Sequence, residues 1–231
     1  MNIVIAGGGA FGLEIEQYVL HCKEARRGLF AADGAQPSYD DVKIIGVRST
    51  DLGRLAEFQT RPPAMNDPDG AWRPDLHFLI GIGCPEARRK VWGELQLRGA
   101  RFATLVHPSC VIASNATFGA GTVLCPFAYV GPLAKVGRNV ALNTYASIGH
   151  DATIGDHAVF SPYACVNGFV SIGEAGFLGS GAIVSPQRKV GGFSKITAGS
   201  IVSTNAESGS LMHGNPAKGR RMFRLPEDFT G

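Results

Sequence analysis

Residues 141–184 read ALNTYASIGHDATIGDHAVFSPYACVNGFVSIGEAGFLGSGAIV, and a large apolar residue returns at every sixth position. The same period extends in both directions without a slip in register. Its 17 positions hold only aliphatic residues or Phe: Val106, Ile112, Phe118, Leu124, Val130, Val136, Leu142, Ile148, Ile154, Phe160, Val166, Ile172, Leu178, Val184, Val190, Ile196 and Val202. An α-helix repeats at 3.6 residues and a strand at two, so neither explains this spacing.

A triangular coil explains a period of six. Each hexad forms one short side, three hexads close one turn, and the apolar residue points into the prism. Four residues after it stands mostly a small residue, such as Ala146, which fits where the interior narrows; Arg188 is the plain exception. The residue directly after it is often glycine, as at Gly149, and we expect glycine there to supply backbone angles closed to other residues. The pattern predicts a left-handed parallel β-helix over residues 104–207, with about 5.7 coils and a height of about 27 Å.

Residues 1–103 alternate apolar runs with helical spacings, which is typical of a small Rossmann-like α/β domain with a parallel sheet. We expect strands at residues 3–6, 43–47, 77–83 and 102–106, and helices at residues 12–22, 51–58 and 85–98. Two polar segments, residues 24–41 and 59–75, are expected to be loops. The sequence after Glu207 breaks the period, so residues 208–231 are predicted to form a C-terminal cap on the last open edge.

The composition argues against several function classes. The 231 residues include 22 Lys and Arg and 19 Asp and Glu. The sequence contains no run of five like charges, so a nucleic-acid or membrane partner is not expected. No apolar stretch approaches the roughly 18 residues of a membrane span, and the N-terminus lacks the pattern of a signal peptide. The five cysteines form no CxxC pair, so we expect reduced thiols and a cytoplasmic protein.

A glycine-rich turn, GGGAFG at residues 7–12, joins the first predicted strand to the first predicted helix. Such a turn presents backbone N–H groups and a helix N-terminus to a phosphate. The second strand ends without the acidic residue of a dinucleotide site, and about 100 residues hold only half of a dinucleotide fold, so NAD is not expected. A smaller nucleotide is one interpretation, and a turn that only packs helix on strand is the other. The candidate residues for binding the substrate are Gly7, Gly9, Ala10, Phe11 and Arg48.

His150 and Asp151 lie in SIGHDATIGDH, residues 147–157. Because His150 stands two residues past the interior position Ile148, its side chain is expected to point away from the prism axis. An imidazole is the natural base for an amine or hydroxyl nucleophile, and a carboxylate from Asp151 or Asp156 would hold it. The alternative is an ordinary surface histidine. The histidines share no ligand spacing, so no metal site is expected.

Aromatic residues punctuate the hexads, among them Phe127, Tyr145, Tyr163 and Phe169. We expect these side chains to pack within the fold. The alternative is that they line a groove or a subunit interface.

On these residues the chain resembles the bacterial sugar acyltransferases of the sialic acid O-acetyltransferase (NeuD) family, which includes N-acetyltransferases of nucleotide-linked amino sugars. The resemblance covers nearly the whole chain. It rests on the glycine-rich start, on IGCPEARRKVWGELQLRG, ATLVHPSCVI and IGHDATIGDHAVFSP, and on the terminal HGNPAK. It implies a homotrimer of prisms, a nucleotide sugar on the N-terminal domain, and acetyl-CoA in the groove between neighbouring prisms.

The resemblance also implies roles for single residues. His150 matches the catalytic base, and Asp151 matches the acidic neighbour that raises its basicity. Positions matching acetyl-CoA contacts, largely through backbone groups, are Val159, Gly168, Ser180 and Ala198. Gly9, Ala10 and Phe11 match the turn that cradles the substrate. Several relatives carry His in place of Phe11 and an Asp pair in place of Arg48-Ser49-Thr50, which leaves the identity of nucleotide and sugar open.

The expected function is therefore acetyl-CoA-dependent N-acetylation of a nucleotide-linked amino sugar in the synthesis of bacterial surface glycans. Two alternatives stay open. One is O-acetylation of a sugar hydroxyl, as on sialic acid, and the other is a non-catalytic trimeric scaffold that binds a nucleotide sugar.

Overall fold

The computed structural model describes residues 1–48, 57, 59–60 and 75–229. Most of the helix expected at 51–58 and of the loop expected at 59–75 lies outside the described residues, as do Ser49 and Thr50. In the described part an α/β region with a parallel sheet comes first and a left-handed parallel β-helix follows. The predicted fold class is confirmed.

In its described residues, the N-terminal α/β region has a four-stranded parallel sheet and two α-helices. Its elements, together with the first strand of the prism, are β1 (Asn2–Ala6), α1 (Ala10–Ala25), β2 (Leu29–Phe30), β3 (Lys43–Arg48), β4 (Leu76–Ile80), α2 (Pro85–Leu97), β5 (Arg101–Phe102) and β6 (Thr104–Val106). The sheet order is β3-β1-β4-β5. β1 and β4 are nearly continuous apolar runs because both lie inside the sheet, where Ile5 and Phe78 are fully buried.

Two expectations for this region are wrong in detail. The polar segment 24–41 is not all loop, since β2 forms within it and pairs antiparallel with β6, and Tyr39–Asp41 makes a 3-10 turn. The single strand expected at 102–106 is two strands, because the chain changes sheets at Ala103. β5 pairs with β4 in the N-terminal sheet, whereas β6 begins the first coil of the prism.

The β-helix consists of two-residue strands that recur every six residues. They are β7 (Val111–Ile112), β8 (Thr117–Phe118), β9 (Val123–Leu124), β10 (Tyr129–Val130), β11 (Lys135–Val136), β12 (Ala141–Leu142), β13 (Ser147–Ile148), β14 (Thr153–Ile154), β15 (Val159–Phe160), β16 (Cys165–Val166), β17 (Ser171–Ile172), β18 (Phe177–Leu178), β19 (Ile183–Val184), β20 (Lys189–Val190), β21 (Lys195–Ile196) and β22 (Ile201–Val202). Val130 lies beside Ile148, and Ile148 beside Val166, so three hexads make one coil. The second residue of each strand points inward, and these residues form one continuous core.

The prism has three faces with different outward residues. The covered face (β6, β9, β12, β15, β18 and β21) lies under the N-terminal α/β region, and its outward residues Val123 and Ala141 are buried. The polar face (β8, β11, β14, β17 and β20) carries Thr117, Lys135, Thr153, Ser171 and Lys189 outward. The apolar face (β7, β10, β13, β16, β19 and β22) carries Val111, Tyr129, Ser147, Cys165, Ile183 and Ile201 outward. Val111 on this face is 62% exposed.

From residue 121 to residue 199, each corner of a coil has one residue in the left-handed backbone region, three positions after the interior residue. At Asn139, Asp151 and His157, for example, φ lies between 52° and 63°. The glycine directly after the interior residue does not have a positive φ, so the expected reason for it is wrong. A β-carbon at Gly149 would lie 2.6 Å from the backbone of Asn167 in the next coil. Glycine stands at this position because neighbouring coils approach too closely for a side chain.

Both helices of the N-terminal α/β region pack on the prism. On the covered face, Ile15 and Val19 of α1 share one core cluster with Val123. α2 contacts the corner between the polar and covered faces, where the ring of Trp92 meets that of His157 edge to face, with centroids 5.9 Å apart. The corner between the apolar and polar faces lies opposite the covered face.

The far end of the prism is closed by a hairpin. β23 (Ser210–Gly214) pairs parallel with β21 and extends the covered face, and β24 (Ala217–Arg221) pairs antiparallel with β23. Met212 and Ala217 are buried and belong to the core of the prism.

Candidate active site

His150 and Asp151 lie side by side at the corner between the apolar and polar faces, here called the His150 corner. His150 Nδ1 and Asp151 Oδ2 are 2.9 Å apart. The His150 side chain is 57% exposed, so a ligand can reach it. Asp151 occupies the left-handed corner position, and its N–H donates to the carbonyl of Pro132 in the preceding coil. The corner geometry of the coil thus holds the carboxylate next to the imidazole.

The structure selects Asp151 over Asp156 as the carboxylate partner. Asp156 lies at the next corner, where it accepts hydrogen bonds of 2.6–2.9 Å from the backbone and guanidinium of Arg138. His157 at that corner is buried, and burial lowers its pKa to about 4. It is therefore a neutral structural histidine, whose Nδ1 lies 2.9 Å from Asn139 Nδ2.

Gly168 lies one coil further along the prism and leaves room for the imidazole. A β-carbon at Gly168 would stand 2.5 Å from His150 Nε2 and 2.6 Å from Cε1. The ring of Phe169 meets the imidazole edge to face, with centroids 5.2 Å apart. The imidazole forms part of the wall of an open groove of about 430 Å³. The groove is lined by Tyr129, Gly149, His150, Asn167, Gly168, Phe169, Pro186 and Gln187.

This arrangement has the chemistry of a general base. With Nδ1 held by the carboxylate of Asp151, Nε2 is the nitrogen left to take a proton from a nucleophile in the groove. The negative charge of Asp151 would stabilise an imidazolium formed in this way.

The four positions expected to contact acetyl-CoA lie at three different places. Gly168 lies against His150, whereas Ser180 and Ala198 are exposed at the corner between the covered and apolar faces, one coil apart. Val159 points outward on the covered face and is only 5% exposed. A single chain therefore does not bring these four residues together.

The corner between the covered and apolar faces carries three exposed rings, and it is here called the aromatic corner. Phe127 and Tyr145 stack with centroids 4.8 Å apart, and Tyr145 and Tyr163 with centroids 5.0 Å apart. All three side chains are exposed, so the expectation that they pack within the fold is wrong. The apolar face beside this corner also exposes Val111 and Tyr129.

The glycine-rich turn lies at the carboxyl ends of β1 and β3. Gly7 has a φ of 130°, and a β-carbon there would stand 2.5 Å from the carbonyl oxygen of Gly81, so a packing role is shown for this glycine. Gly9 is the N-cap of α1, and both Gly9 and Ala10 are exposed, with Phe11 half-buried beside them. Arg48 pairs with Glu94 of α2 at 3.2 Å.

Three solved bacterial structures match nearly the whole chain. The acetyltransferase domain of PglB from Neisseria gonorrhoeae FA1090 has a TM-score of 0.76 at 21% identity, over 94% of this chain and 98% of that one. PerB from Caulobacter crescentus, solved with CoA and GDP-perosamine, has a TM-score of 0.76 at 23% identity, over 95% and 97%. WeeI from Acinetobacter baumannii AYE has a TM-score of 0.76 at 23% identity, over 95% and 100%. The chain shares their fold.

In sequence, the chain is 30% identical over 123 residues to the UDP-N-acetylbacillosamine N-acetyltransferase of Bacillus subtilis (strain 168). The match covers 53% of this chain and spans about half the length of that relative, 50%. No protein-family model matches the chain. The Bacillus subtilis relative is an N-acetyltransferase, and PerB was solved with the nucleotide-linked sugar GDP-perosamine. The similarity is thus to sugar N-acetyltransferases, and it does not extend to the O-acetyl specificity of the sialic acid O-acetyltransferase family.

Sequence analysis missed Arg88, whose side chain is fully buried. The signal was present in the spacing of α2, whose buried residues are Pro85, Arg88, Trp92 and Leu95. An arginine on the buried stripe of an amphipathic helix needs hydrogen-bond partners inside the protein.

Among the described residues, no group of three or more His, Cys, Asp or Glu side chains is placed to hold a metal ion. In the same ranges, no helix has the length and apolar character needed to cross a membrane.

Proposed function

We propose that the protein is an acetyl-CoA-dependent N-acetyltransferase acting on the amino group of a nucleotide-linked amino sugar. The observation that carries the proposal is the His150–Asp151 pair on the wall of an open groove of the β-helix. Support comes from PerB, which shares the fold and was solved with CoA and GDP-perosamine. The bacillosamine N-acetyltransferase favours an amine acceptor over the hydroxyl acceptor of the sialic acid O-acetyltransferase family.

His150 and Asp151 carry the proton transfer in this proposal. Acetyl-CoA supplies the thioester carbonyl that the sugar amine attacks. His150 Nε2 takes the proton that the attacking nitrogen loses, and it returns the proton to the sulfur as the C–S bond breaks. Asp151 stabilises the imidazolium between the two steps. A backbone N–H of the coil that contains Gly168 stabilises the oxyanion.

The proposal includes a homotrimer with acetyl-CoA between neighbouring prisms. In one chain the exposed Ser180 and Ala198 lie at the aromatic corner, away from His150. A neighbouring subunit that packs its aromatic corner against the apolar face would bring both residues to the groove. The exposed apolar side chains of that face and corner support such packing. Val159, which is covered within its own chain, stays a prediction of the resemblance.

We assign the nucleotide sugar to the exposed end of the glycine-rich turn, residues 9–11, where the first N–H groups of α1 meet the diphosphate. The region that holds this turn packs on the covered face, opposite the His150 corner. A sugar bound to one subunit would therefore be acetylated at His150 of a neighbour. A cytoplasmic location is also proposed, and the five free cysteines support it.

The test measures release of free CoA from acetyl-CoA with UDP-, GDP- and dTDP-linked 4-amino sugars, and with sialic acid as the hydroxyl acceptor. We expect turnover on one amino sugar and a loss of about 10²-fold or more in His150→Ala. His21→Ala is the matched control, because His21 is also exposed and hydrogen-bonded through its ring, to His107. Turnover on sialic acid alone would show that the acceptor is a hydroxyl group and not an amine. If the protein does not bind acetyl-CoA, the alternative of a non-catalytic scaffold that binds a nucleotide sugar would be favoured.

A further inference from the structure

The guanidinium of Arg88 is fully buried between the end of β4 and the prism. Its Nη1 donates to the carbonyl oxygens of Ile80 at 2.6 Å and Ile82 at 3.0 Å. Its Nε and Nη2 donate to the backbone and side-chain oxygens of Asn139 at 3.2 Å and 2.9 Å. All four acceptors are neutral, and among the described residues no carboxylate bonds this guanidinium. A buried cation held in this way is costly, so a role beyond packing is expected.

The carbonyls that Arg88 holds flank Gly81, which is wedged against the glycine-rich turn. The Gly81 N–H donates to the carbonyl of Ala6 at 2.8 Å. A β-carbon at Gly81 would lie 2.8 Å from Cα of Gly12, and one at Gly7 would lie 2.5 Å from the carbonyl oxygen of Gly81. Because the backbones touch, a shift of residues 80–82 must move the turn.

Asn139 gives the other side of the guanidinium a rigid support. It stands at a left-handed corner of the prism and is fully buried. Its Nδ2 lies 3.3 Å from the carbonyl oxygen of Arg88 and 2.9 Å from Nδ1 of His157. The side-chain amide of Asn139 thus bonds both the backbone and the side chain of Arg88. Because Asn139 belongs to a coil of the prism, the coil fixes the position of this amide.

We propose that Arg88 is a positioning residue for the nucleotide-sugar site and that Asn139 of the β-helix sets its position. The inference rests on the proposed function, since it places the diphosphate on the turn that Arg88 supports. The guanidinium fork holds the carboxyl end of β4 on one side and the prism on the other. It also engages two carbonyl dipoles near the strand ends, which would otherwise be free to repel an anion. Affinity for the nucleotide therefore depends on a β-helix residue whose side chain is buried away from solvent.

Two variants test the two sides of the fork, and a third is the control. Arg88→Lys keeps the charge but cannot bridge four acceptors, and Asn139→Ala removes the support on the prism. Arg89→Gln breaks contacts of the neighbouring arginine with Glu174 and Asp228, and those contacts do not involve residues 80–82. Thermal melting and solution mass show that each variant is folded and assembled.

The first readout is binding of UDP, GDP and dTDP by calorimetry, together with KM and kcat. We expect Arg88→Lys and Asn139→Ala to weaken nucleotide binding and raise the KM for the nucleotide sugar about tenfold or more. The KM for acetyl-CoA and kcat should stay near the wild-type values, and Arg89→Gln should behave as wild type. An equal change in both KM values, an equal effect of Arg89→Gln, or unchanged nucleotide binding in folded Arg88→Lys would overturn the inference.

The second readout is hydrogen exchange, which does not depend on activity. The amides of Gly7 and Gly81 should exchange faster in Arg88→Lys and Asn139→Ala, while the prism strands keep their protection. Unchanged exchange at both glycines would overturn the positioning role. Failure of the proposed function looks different, because the wild type would then bind no nucleotide and turn over no amino sugar, whatever the exchange shows.

Discussion

Gly168 and His150 lie one coil apart at the same corner, and a β-carbon on Gly168 would stand 2.5 Å from His150 Nε2. The imidazole therefore takes its position from three neighbours: Asp151 at Nδ1, Phe169 against the ring, and the bare backbone of Gly168. Each of these contacts comes from the stacking of coils or from a left-handed corner, so the site is built by the repeat itself.

Gly168→Ala should displace the imidazole and leave its chemistry intact. We expect kcat to fall about tenfold or more, because a small displacement of a catalytic group is costly. The double variant with His150→Ala should be no slower than His150→Ala alone, since the added methyl acts through the ring. A further loss in the double variant would show that Gly168 acts separately from His150. Steady-state kinetics on the four proteins decides this.

Asp151→Asn should lower kcat about 10- to 100-fold, because a hydrogen bond to a charged group is worth about 1.5–3 kcal/mol. The matched control is Asp156→Asn, which breaks the pair with Arg138 at another corner. Initial rates of CoA release compare the two variants. Similar losses in both would mean that general loosening of the coil, and not the His150 partner, limits the rate.

Tyr145→Glu should disrupt the proposed trimer, because it places a charge in the exposed stack between Phe127 and Tyr163. Thr153→Glu puts the same charge on the polar face and should leave the assembly unchanged. Light scattering after size exclusion gives the mass of each variant. A trimeric Tyr145→Glu protein, or a monomeric wild type, would contradict the proposed interface.

Acid should destabilise the fold through His157. Burial lowers its pKa to about 4, below the usual histidine value of about 6.5, so between these pH values the unfolded chain binds a proton that the folded chain does not. The free energy of unfolding should therefore fall by about 2 kcal/mol between pH 7 and pH 4.5 on account of this residue. His157→Gln, which does not titrate, should lose less over the same range. Urea unfolding at both pH values measures the difference, and equal losses would contradict the prediction.

The period of six was sufficient to predict the β-helix, because every coil repeats the same demand for an inward apolar residue. The same regularity predicted that His150, two positions past Ile148, lies at the surface. It did not explain the glycines correctly. Whether Gly149 is needed for a backbone angle or for close approach depends on the distance to Asn167, which is 18 residues away in the chain.

The carboxylate partner of His150 also depended on three-dimensional position. Asp151 and Asp156 are both near His150 in the chain, and only the corner geometry separates them by directing Asp156 to Arg138. Arg88 and Asn139 are 51 residues apart, and their hydrogen bond joins two regions of different fold.

Hexad spacing, the glycine-rich turn and the His150-Asp151 pair are local features, and they were enough for the fold class and the candidate base. The other features of the site depend on packing between coils and between the N-terminal region and the prism. This packing leaves space beside His150, stacks Phe127, Tyr145 and Tyr163 on an exposed corner, and buries Arg88. These outcomes depend on atoms brought together from distant parts of the chain, because contact distance, and not spacing along the sequence, sets packing and hydrogen bonding.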